Sequence, residues 1–328
     1  APVARLQAHS AVPWRALYGH LLSPSRGLFV YSPFVVLVLA GVIWRLPRLL
    51  KQPMTWFALA WFGLALLVAS TMTKWWGGWS FGSRILTEGL PAVVLLTALL
   101  WQDVAKESSH RGRRAMVAGY LALGLMSIFV NSYQGLFNRS TAAWNGTMLP
   151  DVDWEPSYLF DWRYPQFLAT PGALCARNRE YIVRTAQAPS VSALGETIGH
   201  RDGAERVTFI GWSQPEARWR WSECRSSVLQ IRLGAVDPLA DYRLHLTAGS
   251  LGPQDVAVYV NGARAGSLYF SGPVTPPAIG SLTIPGSLLQ PDSVNEIRLD
   301  ISGTAFSDNG DPRMIGLAFV QLRLDRDE

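Results

Sequence analysis

"TMTKWWGGWSFGSRILTEGLP", residues 71–91, follows one apolar run and precedes another. It packs Trp75, Trp76 and Trp79 around Gly77 and Gly78, with Lys74 before them and Arg84 after. A core helix has no use for the two fixed charges, and a flexible loop has none for three indoles. The pattern fits a boundary between an apolar layer and water, and the rest of the chain bears on what kind of boundary it is.

The 328 residues are 49% hydrophobic and 16% charged, against about 25% charged in an ordinary soluble domain. The apolar residues gather in four runs, at about 28–46, 54–72, 85–101 and 115–133. Each approaches the ~20 residues that cross a hydrocarbon core as a helix. The sequence therefore predicts an α-helical transmembrane bundle of about four helices over 28–133. The loop after the first run carries Arg45, Arg48 and Lys51, and the loop after the third carries Lys106, Arg111, Arg113 and Arg114. Short basic loops stay cytoplasmic. The segment 1–27, the loop 73–84 and everything after 133 are then expected outside. Tryptophans concentrate at membrane–water interfaces, which accounts for part of the Trp75–Trp79 cluster but not for the glycines or Arg84. The net charge of +5 comes without a basic helix or a long Lys/Arg run, so nothing points to nucleic acid.

Residues 134–194 are aromatic and punctuated by proline, and read as an outer linker of short helices and turns. Residues 195–328 change to period two. Apolar or alternating stretches at 206–212, 227–233, 241–248, 254–260, 265–270, 279–284, 294–301 and 314–324 are separated by Gly, Pro, Asn and Asp. Asn261-Gly262 suits a type I′ hairpin. About eight short strands predict an all-β sandwich of jelly-roll type outside the cytoplasm. A bridge between Cys175 and Cys224 would staple the linker to the sandwich. Two buried thiols fit the sequence equally well, since spacing does not report distance.

Motifs for self-contained chemistry are scarce. His9, His20, His110, His200 and His245 are scattered without metal-ligand spacing. No nucleophile elbow or phosphate-binding glycine loop appears. No cofactor is evident, and the question of a divalent metal stays open. Asp151-Val152-Asp153 has the D-x-D form, and Asp308-Asn309-Gly310-Asp311 reads as a turn. The cations at the outer helix ends say more. Arg26, Lys74 and Arg84 stand where a lipid phosphate would be presented, and arginine can hold two phosphate oxygens at once. Glu88, four residues after Arg84, could instead neutralise it on one helix face. Trp219 and Trp221 share a face of an extended stretch and could stack on sugar rings or pack.

The segments "YGHLLSPSRGLFVYSPF", "WWGGWSFGSRILTEGLP" and "LFDWRYPQFL" resemble the later transmembrane part of bacterial C-type membrane glycosyltransferases. The trailing "GWSQPEARWRWSE", "VAVYVNG" and "DPRMIGLAFVQLRL" look like the jelly-roll module often appended to them. The resemblance covers roughly residues 15–328. It implies transfer of a sugar from a polyprenyl-phosphate donor to a glycan, lipid or protein acceptor, in a bacterial inner membrane. On it, Arg84, Lys74 and Arg26 face the donor phosphate, and Trp75, Trp76, Trp79 and Glu88 line the donor pocket or membrane interface. In that family the catalytic acid follows the first of about eight to fourteen helices. The chain then reads as the C-terminal portion of a longer enzyme, with its catalytic residue unknown. The alternative is a non-catalytic, membrane-anchored glycan-binding or cell-envelope assembly protein.

Overall fold

A computed structural model describes residues 14–107, 110–203, 205–306 and 311–327. His9 and Asp308-Asn309-Gly310 lie outside them. The chain divides into two compact units, Ala1–Asn145 with Val152–Ala169, and Gly146–Asp151 with Thr170–Glu328.

The first unit is helical: α1 (Trp14–Leu22), α2 (Leu28–Tyr31), α3 (Phe34–Trp44), α4 (Leu46–Leu49), α5 (Pro53–Thr71), α6 (Leu90–Glu107), α7 (His110–Ile128) and α8 (Arg139–Ala143). Among the described residues, three segments are long and apolar enough to cross a membrane: Pro53–Thr71, Arg84–Lys106 and His110–Phe137. The second enters α6 through a 3-10 helix, Arg84–Gly89, and the third leaves α7 as a π-helix, Phe129–Phe137.

The first apolar run departs from expectation. It is not one helix over 28–46 but three pieces, broken at Ser32-Pro33 and again at Arg45. Proline lacks an N–H and disfavours helix in the residue before it, so α2 stops at Tyr31. The 11 residues of α3 rise only about 16 Å, half a hydrocarbon core. α6 runs in the same direction as α3, and α7 runs against them. The Arg45 guanidinium meets Asp103 of α6 at 3.3 Å, while at the opposite ends Asn131 Nδ2 donates to the Tyr31 carbonyl at 2.6 Å.

The second unit opens with α9 (Pro171–Thr185), capped by Thr170, whose Oγ1 accepts from Ala173 N at 3.2 Å. Its strands are β1 (Val191–Ser192), β2 (Thr197–Gly199), β3 (Val207–Ile210), β4 (Arg220–Trp221), β5 (Ser226–Leu233), β6 (Asp241–Ser250), β7 (Gln254–Val260), β8 (Ala263–Phe270), β9 (Ala278–Pro285), β10 (Val294–Ile301), β11 (Ala305–Phe306), β12 (Met314–Ile315) and β13 (Leu317–Arg326). One sheet runs β1-β5-β10-β7-β8 with β3 also on β5, and the other runs β2-β13-β6-β9 with β4 also on β13. The chain crosses between the sheets at β5–β6, β6–β7, β8–β9 and β9–β10, and the result is a jelly-roll β-sandwich. Alternation does the sorting. Ile297, Leu299 and Ile301 of β10 and Tyr242, Leu244 and Leu246 of β6 turn inward to a shared core with Trp212 and Phe319. Asn261 and Gly262 turn the β7–β8 hairpin at φ 49° and 86°, the two positive values that a type I′ turn needs.

Cys175 of α9 and Cys224 are joined in a disulfide, 49 residues apart in sequence. Closing a loop of this size restricts the unfolded chain and stabilises by about 2–4 kcal/mol. The double change Cys175→Ser with Cys224→Ser is expected to lower the unfolding free energy of this unit by that amount in denaturant titration. An unchanged midpoint would mean that packing alone holds α9.

Candidate functional site

In the helical unit the loop 74–84 is fixed from below by Arg26, which is 1% exposed. Each of its five N–H groups has an acceptor. Nε donates to Trp76 O (2.8 Å), Nη1 to Ser25 O (2.7 Å) and Gln166 Oε1, and Nη2 to Gly78 O (3.0 Å) and Asn145 Oδ1 (2.8 Å). Gln166 Nε2 in turn donates to Ser80 O and Thr141 O, and Ser23 Oγ to Leu159 O. Residues from all three quoted helical-unit segments thus meet around one guanidinium. Burial pulls its pKa down to about 10, so it stays cationic at neutral pH. Arg26, expected to bind a donor phosphate, is instead buried with every N–H donor engaged by the protein, and has none left to offer.

The loop itself needs its glycines. Gly77 and Gly78 have φ of 74° and 63°, a region that L side chains rarely adopt. Beside them Asp153 takes Lys74 Nζ at 2.7 Å and Trp76 Nε1 at 2.8 Å. Burial works to raise the Asp153 carboxyl, but these two hydrogen bonds and the nearby cations hold it below its ordinary range. The second aspartate of the D-x-D motif is therefore a clamp on the loop, and Lys74 has a carboxylate partner of its own. Trp75 and Trp76 are both buried, Trp75 against His20 (5.2 Å between ring centres) and Phe160 (5.7 Å). A Cβ at Gly19 would stand 2.1 Å from the Trp75 ring. Only Trp79, 53% exposed, is presented outward.

Arg84 differs from the other two cations. It opens the 3-10 helix, is exposed, and has no side-chain hydrogen bond or ion pair among the described residues. Glu88 is exposed as well and is not paired with it. The pairing expected at i,i+4 belongs to an α-helix. A 3-10 helix has three residues per turn, so Glu88 is turned about 120° away from Arg84.

In the sandwich, Trp219 and Trp221 are brought together, edge to face with centres 6.0 Å apart. Trp221 is buried against Ile315 and Ala318, so a sugar ring cannot lie on it. Of the two arrangements that the sequence leaves open for the pair, stacking or packing, Trp221 takes the second. A different face is open. The helix α9 covers the outside of the first sheet at one end, where Ile182 packs on Ile210 and Val228. At the other end Asp255 of β7 and Arg264 and Tyr269 of β8 are exposed, while Tyr259 of β7 and Arg298 of β10 are half-buried. Across the strands, Asp255 stands beside Tyr269, and Arg264 beside Tyr259 beside Arg298. Tyr269 is 61% exposed, and the Arg298 guanidinium lies 4.1 Å from the Tyr259 ring centre. The alternation over 254–260, 265–270 and 294–301 does not show which end of the sheet α9 covers.

The sequence reading also missed Glu223, which has no motif around it. It is buried beside the disulfide, 3.5 Å from Thr147 Oγ1 and 3.7 Å from Arg313 Nη1, and its Oε1 receives no hydrogen bond. Arg313 is shared with Asp311 and with Glu216 at 2.8 Å. Burial pushes the Glu223 carboxyl up to about 8, against the pull of Arg313. Among the described residues no group of three or more His, Cys, Asp or Glu could hold a metal ion.

No family model matches the sequence, and no curated protein matches it. Solved structures similar to the β part include a family 35 carbohydrate-binding module from Paenibacillus barcinonensis, at 10% identity and a TM-score of 0.29, over 40% of this chain and 100% of that one. A family 6 module from Clostridium stercorarium, solved with cellobiose, is 10% identical with a TM-score of 0.27, over 42% and 98%. A CBM36 carbohydrate-binding module, solved with calcium and xylotriose, is 15% identical with a TM-score of 0.26, over 40% and 99%.

Proposed function

We propose that the protein is a membrane-inserted, glycan-handling protein of the cell envelope, with the sandwich as its saccharide-binding part outside the cytoplasm. The observation that carries this reading is the outward β7–β8 surface, where exposed Tyr269 stands beside exposed Asp255. A flat apolar ring next to a hydrogen-bonding carboxylate matches a sugar, whose ring has an apolar side and a rim of hydroxyls. Insertion is supported by the three long apolar segments and by side chains such as Leu64 and Leu67 of α5, which face outward without protein cover. The disulfide fits an oxidising compartment. The full chain in nanodiscs should bind envelope saccharides, and Tyr269→Ala should weaken binding by about tenfold while leaving the melting curve unchanged. Equal binding by Tyr269→Ala would remove this face from the reading.

A second reading is favoured by Arg84. A 3-10 helix holds this exposed guanidinium, without a carboxylate partner among the described residues, at the start of an apolar span, which suits the phosphate of a polyprenyl-linked sugar. In that reading the chain is the donor end of a membrane glycosyltransferase, and Arg84 stabilises the departing lipid phosphate. A charge-assisted contact is worth roughly 1.5–3 kcal/mol, or about ten- to hundredfold in rate. In the enzyme that contains this chain, Arg84→Ala should lower transfer from a polyprenyl-phosphate sugar by that factor, and Arg84→Lys should recover part of it. Near-normal transfer by Arg84→Ala would leave only the binding reading.

A further inference from the structure

Between α3 and α7 lies a cavity that neither reading uses. It holds about 340 Å³, a volume at the lower end of small-molecule sites. Two departures from regular α-helix frame it. The Ser32-Pro33 break leaves Ser32 in one wall, and the π-helix that ends α7 brings Asn131 and Ser132 to the other. Such π-helical turns often accompany functional sites. Asn131 Nδ2 donates to the carbonyls of Tyr31 at 2.6 Å and Ser127 at 2.9 Å. Carbonyls only accept, so both amide hydrogens are spent there and Oδ1 is left as an acceptor. The hydroxyls of Ser32, Tyr120 and Ser132 have no hydrogen-bond partner among the described residues. Phe34 holds the Tyr120 ring edge to face, with centres 5.6 Å apart. Among the described residues no charged side chain lines the cavity. A Cβ at Gly124, also in the lining, would meet nothing within 4 Å. Beside the cavity Leu121, Leu125 and Ile128 are exposed at i, i+4 and i+7, one apolar stripe along α7.

We propose that this cavity binds a neutral lipid through a hydroxyl on its head group, with a diacylglycerol as the fitting class, entering from the bilayer. A hydroxyl donates once and accepts through two lone pairs. Asn131 Oδ1 can take the proton, and the Tyr120 and serine hydroxyls can fill the lone pairs. Polar groups within an apolar span cost free energy until they find partners, and a hydroxyl-bearing head supplies them. An anionic head group would enter without a cation to pair with, which is costly. The Leu121–Leu125–Ile128 stripe gives the acyl chains an apolar track. A free polyol would use the same polar groups but leave that track unused, so the lipid is the better fit. The proposal rests on the membrane reading above and is independent of the saccharide site and of Arg84.

The test uses the purified full chain in phosphatidylcholine nanodiscs containing either diacylglycerol or the same lipid acetylated at its free hydroxyl. Retained lipid is read by native mass spectrometry. Diacylglycerol should be retained in preference to the acetylated form. Tyr120→Phe, which keeps the ring against Phe34, should cut its retention about fivefold, the worth of one hydrogen bond. Gly124→Leu, which puts a side chain into open space, should abolish it. Thr71→Ala removes an exposed hydroxyl that does not line the cavity and should have no effect. Equal retention of the two lipids, unchanged retention by Gly124→Leu, or a loss in Thr71→Ala equal to that in Tyr120→Phe would overturn the proposal. Displacement of diacylglycerol by excess glycerol would reassign the cavity to a free polyol. A chain that fails to insert into nanodiscs would overturn both the membrane reading and this one, whereas a chain that inserts without lipid preference overturns this one alone.

Discussion

Arg26→Ala is expected to lower the stability of the helical unit by about 3–5 kcal/mol, the cost of removing one partner from a buried charged network. The substitution would orphan the Ser25 carbonyl and the side-chain acceptors of Gln166 and Asn145, and would leave the Trp76 and Gly78 carbonyls with Ser80 as their remaining donor. An unsatisfied buried acceptor costs about 1–3 kcal/mol, so the loop would open rather than keep them dry. In detergent the first thermal midpoint should fall by about 10 °C, taking 2–4 °C per kcal/mol for a unit of this size. Arg26→Lys should rescue little, since an ammonium has three donors and no fork. A shift of less than a degree would show that packing around Trp75 fixes the loop without Arg26.

Glu223 should make the stability of the sandwich depend on pH. Its carboxyl titrates near 8 in the folded state, raised by burial, and near the ordinary 4.3 when unfolded. Below the unfolded value both states are protonated, and the full stability is present. As pH rises from about 4.5 to 8, the unfolded chain releases its proton and the folded one keeps it. Stability then falls by about 1.4 kcal/mol per unit, or about 5 kcal/mol across the window. Glu223→Gln, which keeps the shape without the charge, should remove most of that slope and leave the variant the more stable form at pH 8. Denaturant midpoints measured from pH 5 to 8.5 would check this. Parallel curves for the two proteins would mean that Thr147 and Arg313 keep the carboxylate ionised throughout. Asp311 acts at the other extreme. Burial works to raise it, but the hydrogen bonds from Arg313 hold it low, so its contribution is lost only as pH falls below the ordinary carboxylate range.

Much of the sandwich was legible in the sequence, because one-sided burial writes a period of two. All eight anticipated stretches contain strands, and the Asn261-Gly262 turn has the required backbone. The short strands β1, β2, β4 and β11 were not legible, since two or three residues carry no period. In the helical unit, apolar length located the runs, but Pro33 and the basic Arg45 turn break the first one. The loop residues were harder to read. Trp75 and Trp76 have the composition of an interface belt, yet both are buried, Trp75 by Phe160 and by a contact that only Gly19 permits. Arg26 and Arg84 look alike in sequence, each a lone arginine at a helix end. What separates them is the set of distant acceptors, Gln166 and Asn145 among them, that no local pattern links to Arg26.

The 3-10 helix Arg84–Gly89 has a metrical consequence. Its six residues rise about 2.0 Å each instead of 1.5 Å, so Arg84 stands about 3 Å farther along the axis than an α-helical start would place it. Its angular position is shifted as well, because each residue turns 120° rather than 100°. The height and bearing of the guanidinium above the apolar span are therefore set by the backbone. A helix-favouring change within these six residues would lower and rotate Arg84 without altering the side chain itself.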